Sequence, residues 1–127
     1  MNRRDVLAGL LASLAVPGVA LAQSSRLPRL GYLSLLSITE QPSRERQALL
    51  DGLRELGRVA GESIEIVYRS AENEEVFLRP MCEELLRTGV DVLATPGTQA
   101  TLAASQLTGT VPIVFLALGD PVGIGLV

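Results

Sequence analysis

Apolar residues are grouped along the chain in blocks that predict four β-strands separated by three helices. Three blocks are almost continuously apolar, namely Arg29–Leu36, Val90–Ala94 and Val111–Leu118. Such blocks are typical of strands that are buried on both faces of a parallel sheet. The block Ser63–Tyr68, second in chain order, alternates apolar and polar residues, which predicts a less buried strand near a sheet edge.

The segment after the first strand predicts an amphipathic helix. Leu49, Leu53 and Leu56 recur at a spacing that forms one apolar stripe. Ser43 is the predicted N-cap, since its hydroxyl can accept a bond from an unpaired N–H group of the first turn. Gly57 follows the stripe and predicts the end of the helix.

Two further helices are predicted from the remaining segments. Val76–Thr88 carries an apolar face, and Pro80 within it requires the regular part of the helix to begin close to that residue. Cys82 lies on this face and is interpreted as a buried core thiol rather than a reactive one. A third helix is predicted to begin at Thr98.

The resulting order, βαβαβαβ, predicts an α/β fold with an open parallel sheet of strand order 2-1-3-4 and helices on both faces. Ligands of such sheets bind beyond the carboxyl ends of the strands, at the switch point between strands 1 and 3. Three predicted loops meet there: Ser34–Thr39, Thr95–Thr98 and Gly119–Pro121.

The second of these loops is a candidate anion site. The turn Thr95-Pro96-Gly97 leads from a strand into the helix that begins at Thr98. Unpaired N–H groups of a first helical turn, together with the helix dipole, favour a carboxylate or a phosphate. The alternative is purely structural, with Thr98 as a helix cap and Gly97 as a turn residue.

Composition narrows the possible functions. The 127 residues are 47% hydrophobic, enough for a core, while aromatic residues make up only 3% and a base-stacking platform is therefore not expected. The net charge of −3, with acidic and basic residues interspersed, disfavours nucleic-acid binding. The absence of His and the presence of a single Cys exclude disulfides, Cys/His zinc sites and Ser-His-Asp triads. No dinucleotide fingerprint or P-loop is present, so we predict a binding protein without a cofactor, not an enzyme.

Residues 1–22 have the three parts of a secretory signal peptide. Arg3 and Arg4 form the positive region, residues 6–19 the apolar region, and Ala20–Ala22 the small-residue cleavage pattern. The residues around the two arginines also fit a twin-arginine signal, and both export routes stay open. The apolar region is shorter than the roughly 20 residues of a membrane span, so we expect cleavage and a periplasmic product without membrane insertion.

Five phrases of the sequence occur in an order that is specific to one family. They are R-L-G-Y-L-S (29–34), D-G-L-R-E-L-G (51–57), I-E-I-V-Y-R (64–69), V-D-V-L-A-T-P-G-T (90–98) and V-P-I-V-F-L-A-L-G-D-P-V-G-I-G-L-V (111–127). With these phrases, the chain resembles the N-terminal part of bacterial ABC-transporter substrate-binding proteins of the tryptophan/tyrosine type.

The resemblance implies a type I periplasmic-binding-protein fold, in which two α/β lobes close on a small ligand. Residues 23–28 would form a polar leader, and residues 29–127 the N-terminal lobe. This lobe is expected to be truncated, because members of the family continue well beyond it. The implied function is to capture an amino-acid-like molecule in the periplasm and to deliver it to the membrane permease of an ABC transporter.

The resemblance also implies a set of ligand-binding residues. The ligand carboxylate would bind at the turn and helix start formed by Thr95, Gly97 and Thr98, and the amine would bind near Asp120. Ser34 and Ser37 would line the side of the site. The alternatives are a turn-forming role for Asp120 and ordinary loop polarity for the two serines.

Three other functions stay open at this point. The same fold could serve as an exported sensor or interaction domain without transport, or the chain could be a truncated, non-functional fragment. An exported enzyme is the third alternative, although the sequence offers it neither a nucleophile-base pair nor a metal cluster.

Overall fold

Strands and helices alternate along residues 26–116, the part of the chain that the computed structural model describes. In chain order the elements are β1 (Arg29–Ser34), α1 (Arg44–Glu55), β2 (Glu65–Ser70), a short 3-10 helix (Glu75–Phe77), α2 (Leu78–Arg87), β3 (Val92–Pro96), α3 (Thr98–Leu107) and β4 (Ile113–Leu116). The strands form one parallel sheet of order β2-β1-β3-β4. The predicted fold class and strand order are therefore confirmed.

The central strand β1 is buried on both faces, as its continuous apolar pattern predicts, because β2 and β3 flank it and helices cover it. Strand β2 lies at the edge and is only partly buried. It runs from Glu65 to Ser70, two residues later than predicted, because these six residues pair one to one with β1. Strand β3 is likewise shifted from the predicted Val90–Ala94 to Val92–Pro96.

Helices cover both faces of the sheet, as predicted. On one face α2 and α3 pack on β1 and β3 through a cluster that includes Leu33, Leu85 and Leu93, all fully buried. On the other face Leu49 and Leu53 of α1 pack against a second cluster, formed by Leu30, Tyr32, Ile64 and Ala94. The first cluster also contains Cys82, which is fully buried and free, so its assignment as a core thiol is confirmed.

Helix boundaries follow local chemistry. Ser43 caps α1 as predicted, since its Oγ accepts a hydrogen bond of 3.1 Å from the backbone N–H of Arg46. Pro80 is the third residue of α2, where the missing N–H would have no intrahelical partner in any case. The residues before Leu78 that were predicted to be helical form the 3-10 turn instead.

Two predictions of burial are wrong. Leu56 is 81% exposed, because it caps the C-terminus of α1 and the positive φ of Gly57 turns the chain away there. The fourth strand, predicted to be buried over Val111–Leu118, forms in the described part over Ile113–Leu116 and leaves Val114 and Phe115 exposed. The reason is its position, because β4 pairs only with β3 in the described sheet, while both packing clusters are centred on β1 and β3.

Within residues 26–116, no helix has both the length and the apolar character that crossing a membrane requires.

Candidate functional site

A cavity of about 390 Å³ opens at the carboxyl edge of the sheet, next to the switch point between β1 and β3. Its size lies within the range of ordinary small-molecule sites. Three pieces of the chain form its wall: the end of β1 with the loop that follows it, the first turn of α1, and the turn between β3 and α3. The lining residues are Tyr32, Ser34, Leu35, Leu36, Ser37, Ile38, Thr39, Gln41, Ser43, Glu45, Arg46, Pro96, Gly97 and Gln99.

The loop after β1 is tied to the loop after β2. The hydroxyls of Ser34 and Ser70 both donate to the carbonyl oxygen of Leu36, at 2.8 and 3.0 Å. The backbone N–H of Asn73 donates to the carbonyl of Leu35 at 2.7 Å, and Asn73 has a positive φ of 70° that this turn requires. These bonds hold one wall of the cavity in a defined shape.

Arg46 forms a second wall, from the first turn of α1. Its Nη2 donates to the backbone carbonyls of Thr39 and Glu40, at 2.6 and 3.2 Å. Its guanidinium carbon lies 5.3 Å from the centre of the Tyr68 ring, a cation–π contact. The residue is only 7% exposed, so the fold holds a positive charge at the edge of the cavity with little solvent around it.

Two tyrosines lie beneath this arginine. The Tyr32 and Tyr68 rings are tilted by 59° with centroids 5.5 Å apart, a favourable edge-on geometry. Burial raises the pKa of Tyr32, and a hydrogen bond with Ser43 and the positive charge of Arg46 oppose that shift in part. The hydroxyl of Tyr32, which lines the cavity, is therefore neutral at physiological pH.

The turn between β3 and α3 is closed by a pair of buried threonines. The Oγ1 atoms of Thr95 and Thr101 are 2.8 Å apart, and the Thr101 hydroxyl also lies 2.8 Å from the carbonyl oxygen of Gly97, which accepts from it. Gly97 has φ of 91°, which a side chain would disfavour, and its N–H donates to the carbonyl of Leu116 at 3.0 Å. The turn thus couples the start of α3 to β4.

The start of α3 keeps the features of an anion site. Gly97 is the N-cap and provides no side-chain bond, so the N–H groups of the first turn lack both an intrahelical partner and a side-chain cap. Helix geometry directs these N–H groups along the axis, away from the body of α3. Pro96, Gly97 and Gln99 all contribute to the cavity wall.

The structure brings three of the six predicted binding residues to this cavity: Ser34, Ser37 and Gly97. The hydroxyl of Ser37 already donates to Glu72 Oε1 at 3.0 Å. Thr98 is the first residue of α3 but does not belong to the wall, and Thr95 is completely buried below it. Asp120 lies outside the described residues.

Arg46 and Tyr32 are among the wall residues that sequence reasoning missed. The spacing of Arg46, Leu49 and Leu53 is i, i+3, i+7, so the arginine lies on the apolar stripe of α1 rather than on its solvent face. A charge on the buried stripe of an amphipathic helix is the signal that could have identified it.

Among the residues that the structure describes, no three His, Cys, Asp or Glu side chains lie close enough to hold a metal ion.

Comparison with known proteins identifies a family whose sequence pattern this chain matches. A family model described as ABC transporter substrate binding protein matches residues 33–127. A tyrosine-binding protein of Clostridioides difficile (strain R20291) is 25% identical over 97 residues, which are 75% of this chain and 28% of that protein.

Solved structures agree with the fold. A conserved domain protein from Vibrio cholerae matches with a TM-score of 0.72 and 31% identity. A ligand-free, open substrate-binding protein with adhesive properties from Clostridium difficile matches with a TM-score of 0.70 and 26% identity. An ABC domain in complex with L-Trp from Streptococcus pneumonia matches with a TM-score of 0.70 and 25% identity. Each match covers 80% of this chain and 34% of the other, so the chain spans about a third of the length of these relatives.

Proposed function

Since this chain belongs to the family of ABC transporter substrate-binding proteins, we propose that its cavity captures a small amino-acid-like molecule for uptake. The captured molecule is delivered to the membrane permease of an ABC transporter. The observation that carries this proposal is the position of the cavity, at the carboxyl edge of the sheet beside the β1/β3 switch point. The relatives support the ligand class, because one is named a tyrosine-binding protein and another is in complex with L-Trp.

The residues divide into direct and indirect roles. The carboxylate of the ligand binds at the first turn of α3, next to Gly97 and Thr98, where N–H groups have no intrahelical partner. Ser34 and Ser37 line the side of the ligand. Thr95 is completely buried, so its role is to hold the turn through its bond with Thr101 rather than to touch the ligand. The ligand amine is assigned to Asp120, outside the described residues.

Because the relatives are much longer than this chain, we propose a ligand site that two lobes share. In it, residues 26–116 provide one wall, and a second lobe closes over the cavity and removes the ligand from water. Closure of this kind strengthens each polar contact, because it lowers the local dielectric constant.

Export is part of the same proposal. Residues 1–22 direct the protein out of the cytoplasm, where an uptake system meets its substrates. Fusing residues 1–28 to a reporter that is active only after export is expected to give activity, and replacing Arg3 and Arg4 with Gln is expected to reduce it. A reporter that stays inactive in the cytoplasm with the intact segment would contradict this assignment.

The ligand site is tested by a thermal-shift screen of the protein expressed from its complete gene, with the standard amino acids as the panel. We expect at least one of them to raise the melting temperature. Gln99→Trp places a large side chain on the cavity wall and removes no side-chain bond that Gln99 makes within the described residues, so it is expected to abolish the shift.

Ser105→Trp is the matched control, because Ser105 is exposed on the same helix and does not line the cavity. A panel without any shift would refute the proposed function. A shift that Gln99→Trp and Ser105→Trp leave equally intact would place the ligand elsewhere.

A further inference from the structure

We propose that Arg46 is a specificity-determining residue of this site, which binds the ligand carboxylate together with the first turn of α3. The inference rests on the proposed function and deepens it, since it names a required chemical group. A ligand that lacks a negatively charged carboxylate is expected to bind much more weakly.

The first argument is that Arg46 has no counterion among residues 26–116. Among residues 26–116, the ion pairs involve Arg26, Arg29, Arg69 and Arg79, and no carboxylate oxygen lies within 4.0 Å of the Arg46 guanidinium. Burying a cation without a counterion is costly, and two neutral carbonyls compensate for only part of that cost. An anion in the cavity would complete the pairing.

The second argument is the unused hydrogen-bonding capacity. The guanidinium has five N–H donors. In the described part of the chain only Nη2 of Arg46 finds acceptors, the carbonyls of Thr39 and Glu40. Among residues 26–116, Nε is buried without a hydrogen-bond partner. Since Nη1 has no acceptor among residues 26–116 and the residue lines the cavity, Nη1 is the donor suited to receive an acceptor from a ligand.

The third argument is preorganisation. The ring of Tyr68 lies 5.3 Å from the guanidinium carbon, and the two carbonyl bonds fix Nη2. Little side-chain entropy therefore remains to be lost when an anion binds. A surface arginine that merely caps a loop would not need to be held from three directions.

The charge around Arg46 also limits the ligand class. Among the described residues, the other charged residue of the cavity wall is Glu45, which is half-buried. One guanidinium and one carboxylate complement a zwitterion better than a dianion, because a second negative group on the ligand would face Glu45. The ligand that fits best carries a single carboxylate together with a positive or neutral group, as an amino acid does.

The test compares acid and amide forms of one ligand by isothermal titration. The probes are L-tryptophan and L-tyrosine, each with its carboxamide, and inorganic phosphate as a competing anion. The protein is expressed from its complete gene. We expect the wild type to bind the acid about 10- to 100-fold more tightly than the amide, the effect of losing one charge-assisted hydrogen bond.

Arg46→Gln and Arg46→Met are expected to weaken binding of the acid by that factor while leaving binding of the amide within about twofold. Arg46→Met keeps an unbranched apolar side chain in place of the arginine stem and removes the guanidinium, so it tests the charge with little disturbance of packing. Arg44→Gln is the matched control, because Arg44 is exposed in the same turn of α1 and does not line the cavity.

The outcomes separate this inference from the proposed function. A wild type that binds none of these probes and no amino acid of the thermal-shift panel refutes the proposed function. A wild type that binds acid and amide equally, or Arg46 variants that weaken both equally, overturns the inference and leaves the proposed function in place. If phosphate displaces L-tryptophan at a lower concentration than a simple carboxylate such as acetate does, Arg46 binds phosphate. This result would likewise overturn the inference.

Discussion

Replacing the hydroxyl of Thr101 with a methyl group, in Thr101→Val, is expected to destabilise the protein through the turn that forms the cavity wall. The two side chains have nearly the same shape, so the substitution leaves no cavity. It removes the donor to the Gly97 carbonyl and the partner of the Thr95 hydroxyl, both at 2.8 Å.

The magnitude follows from the burial of these groups. Thr95 is completely buried, and among the described residues its hydroxyl has Thr101 Oγ1 as its partner. An unsatisfied buried hydroxyl costs about 1–3 kcal/mol, whereas removing both partners together is nearly neutral. We expect Thr101→Val to cost about 2 kcal/mol, and Thr95→Val less, because Thr101 then still donates to Gly97. The double variant should cost less than the sum of the single ones by about 1 kcal/mol.

Urea unfolding of the wild type, both single variants and the double variant measures this coupling. Ser105→Ala serves as a control, since it removes a hydroxyl at an exposed position of the same helix and should change the stability by less than about 0.5 kcal/mol. Single-variant costs that add up to the double-variant cost would show that the two hydroxyls do not interact, and would refute the account of the turn.

Three further predictions concern the rest of the fold. Gly31→Ala would place a Cβ atom 3.0 Å from a leucine side chain and is expected to lower the free energy of unfolding in urea by about 1–3 kcal/mol. Gly52→Ala lies in α1, where a Cβ atom has open space, and should raise it by roughly 0.5–1 kcal/mol. Equal effects of the two substitutions would contradict the packing around Gly31. Burial raises the pKa of the Cys82 thiol, so a thiol reagent should react with it only as fast as the protein unfolds, and rapid labelling of the native protein would contradict its place in the core. A hydrogen bond from Arg26 lowers the pKa of Asp91, so this carboxylate stabilises the fold above its ordinary pKa and loses that contribution as the pH falls through the lowered pKa. Asp91→Asn should flatten the decline in stability as the pH falls below about 4, the ordinary pKa of an aspartate, and an unchanged decline would contradict the pairing.

Sequence periodicity predicts most of the fold because local and tertiary preferences agree in it. The continuous apolar block of β1 requires burial on both faces, and the position between β2 and β3 provides that burial. Ser43 is an N-cap both by residue type and by geometry. The strand order follows from the alternation of strands and helices, since crossovers of parallel strands are right-handed.

Periodicity fails where burial depends on neighbours that it does not specify. Leu56 continues the apolar helical spacing in the sequence, but the helix ends at Glu55 and leaves Leu56 exposed. Phe115 lies in an apolar block, yet β4 is at the edge of the described sheet and leaves it exposed. A strand boundary depends on pairing register, which explains the two-residue shifts in β2 and β3.

The candidate site is less predictable than the fold because it combines residues from distant positions. The β3–α3 turn has a local signature, so Gly97 and the helix start at Thr98 could be predicted. Thr95 has the same chemistry as a binding residue, but the alternation of the strand directs it into the core toward Thr101. The charge on the apolar stripe of α1 marks Arg46 as buried, but the cavity that it lines depends on how α1 packs on the sheet, which no local pattern encodes.

The most direct test of the account is a crystal structure of the protein, expressed from its complete gene, with the amino acid that gives the largest thermal shift. We expect its electron density in the cavity between the first turn of α1 and the β3–α3 turn, with its carboxylate oxygens within hydrogen-bonding distance of the N–H groups at the start of α3 and of Arg46. Density bound outside this cavity, with Arg46 and Gly97 facing empty solvent, would contradict the account.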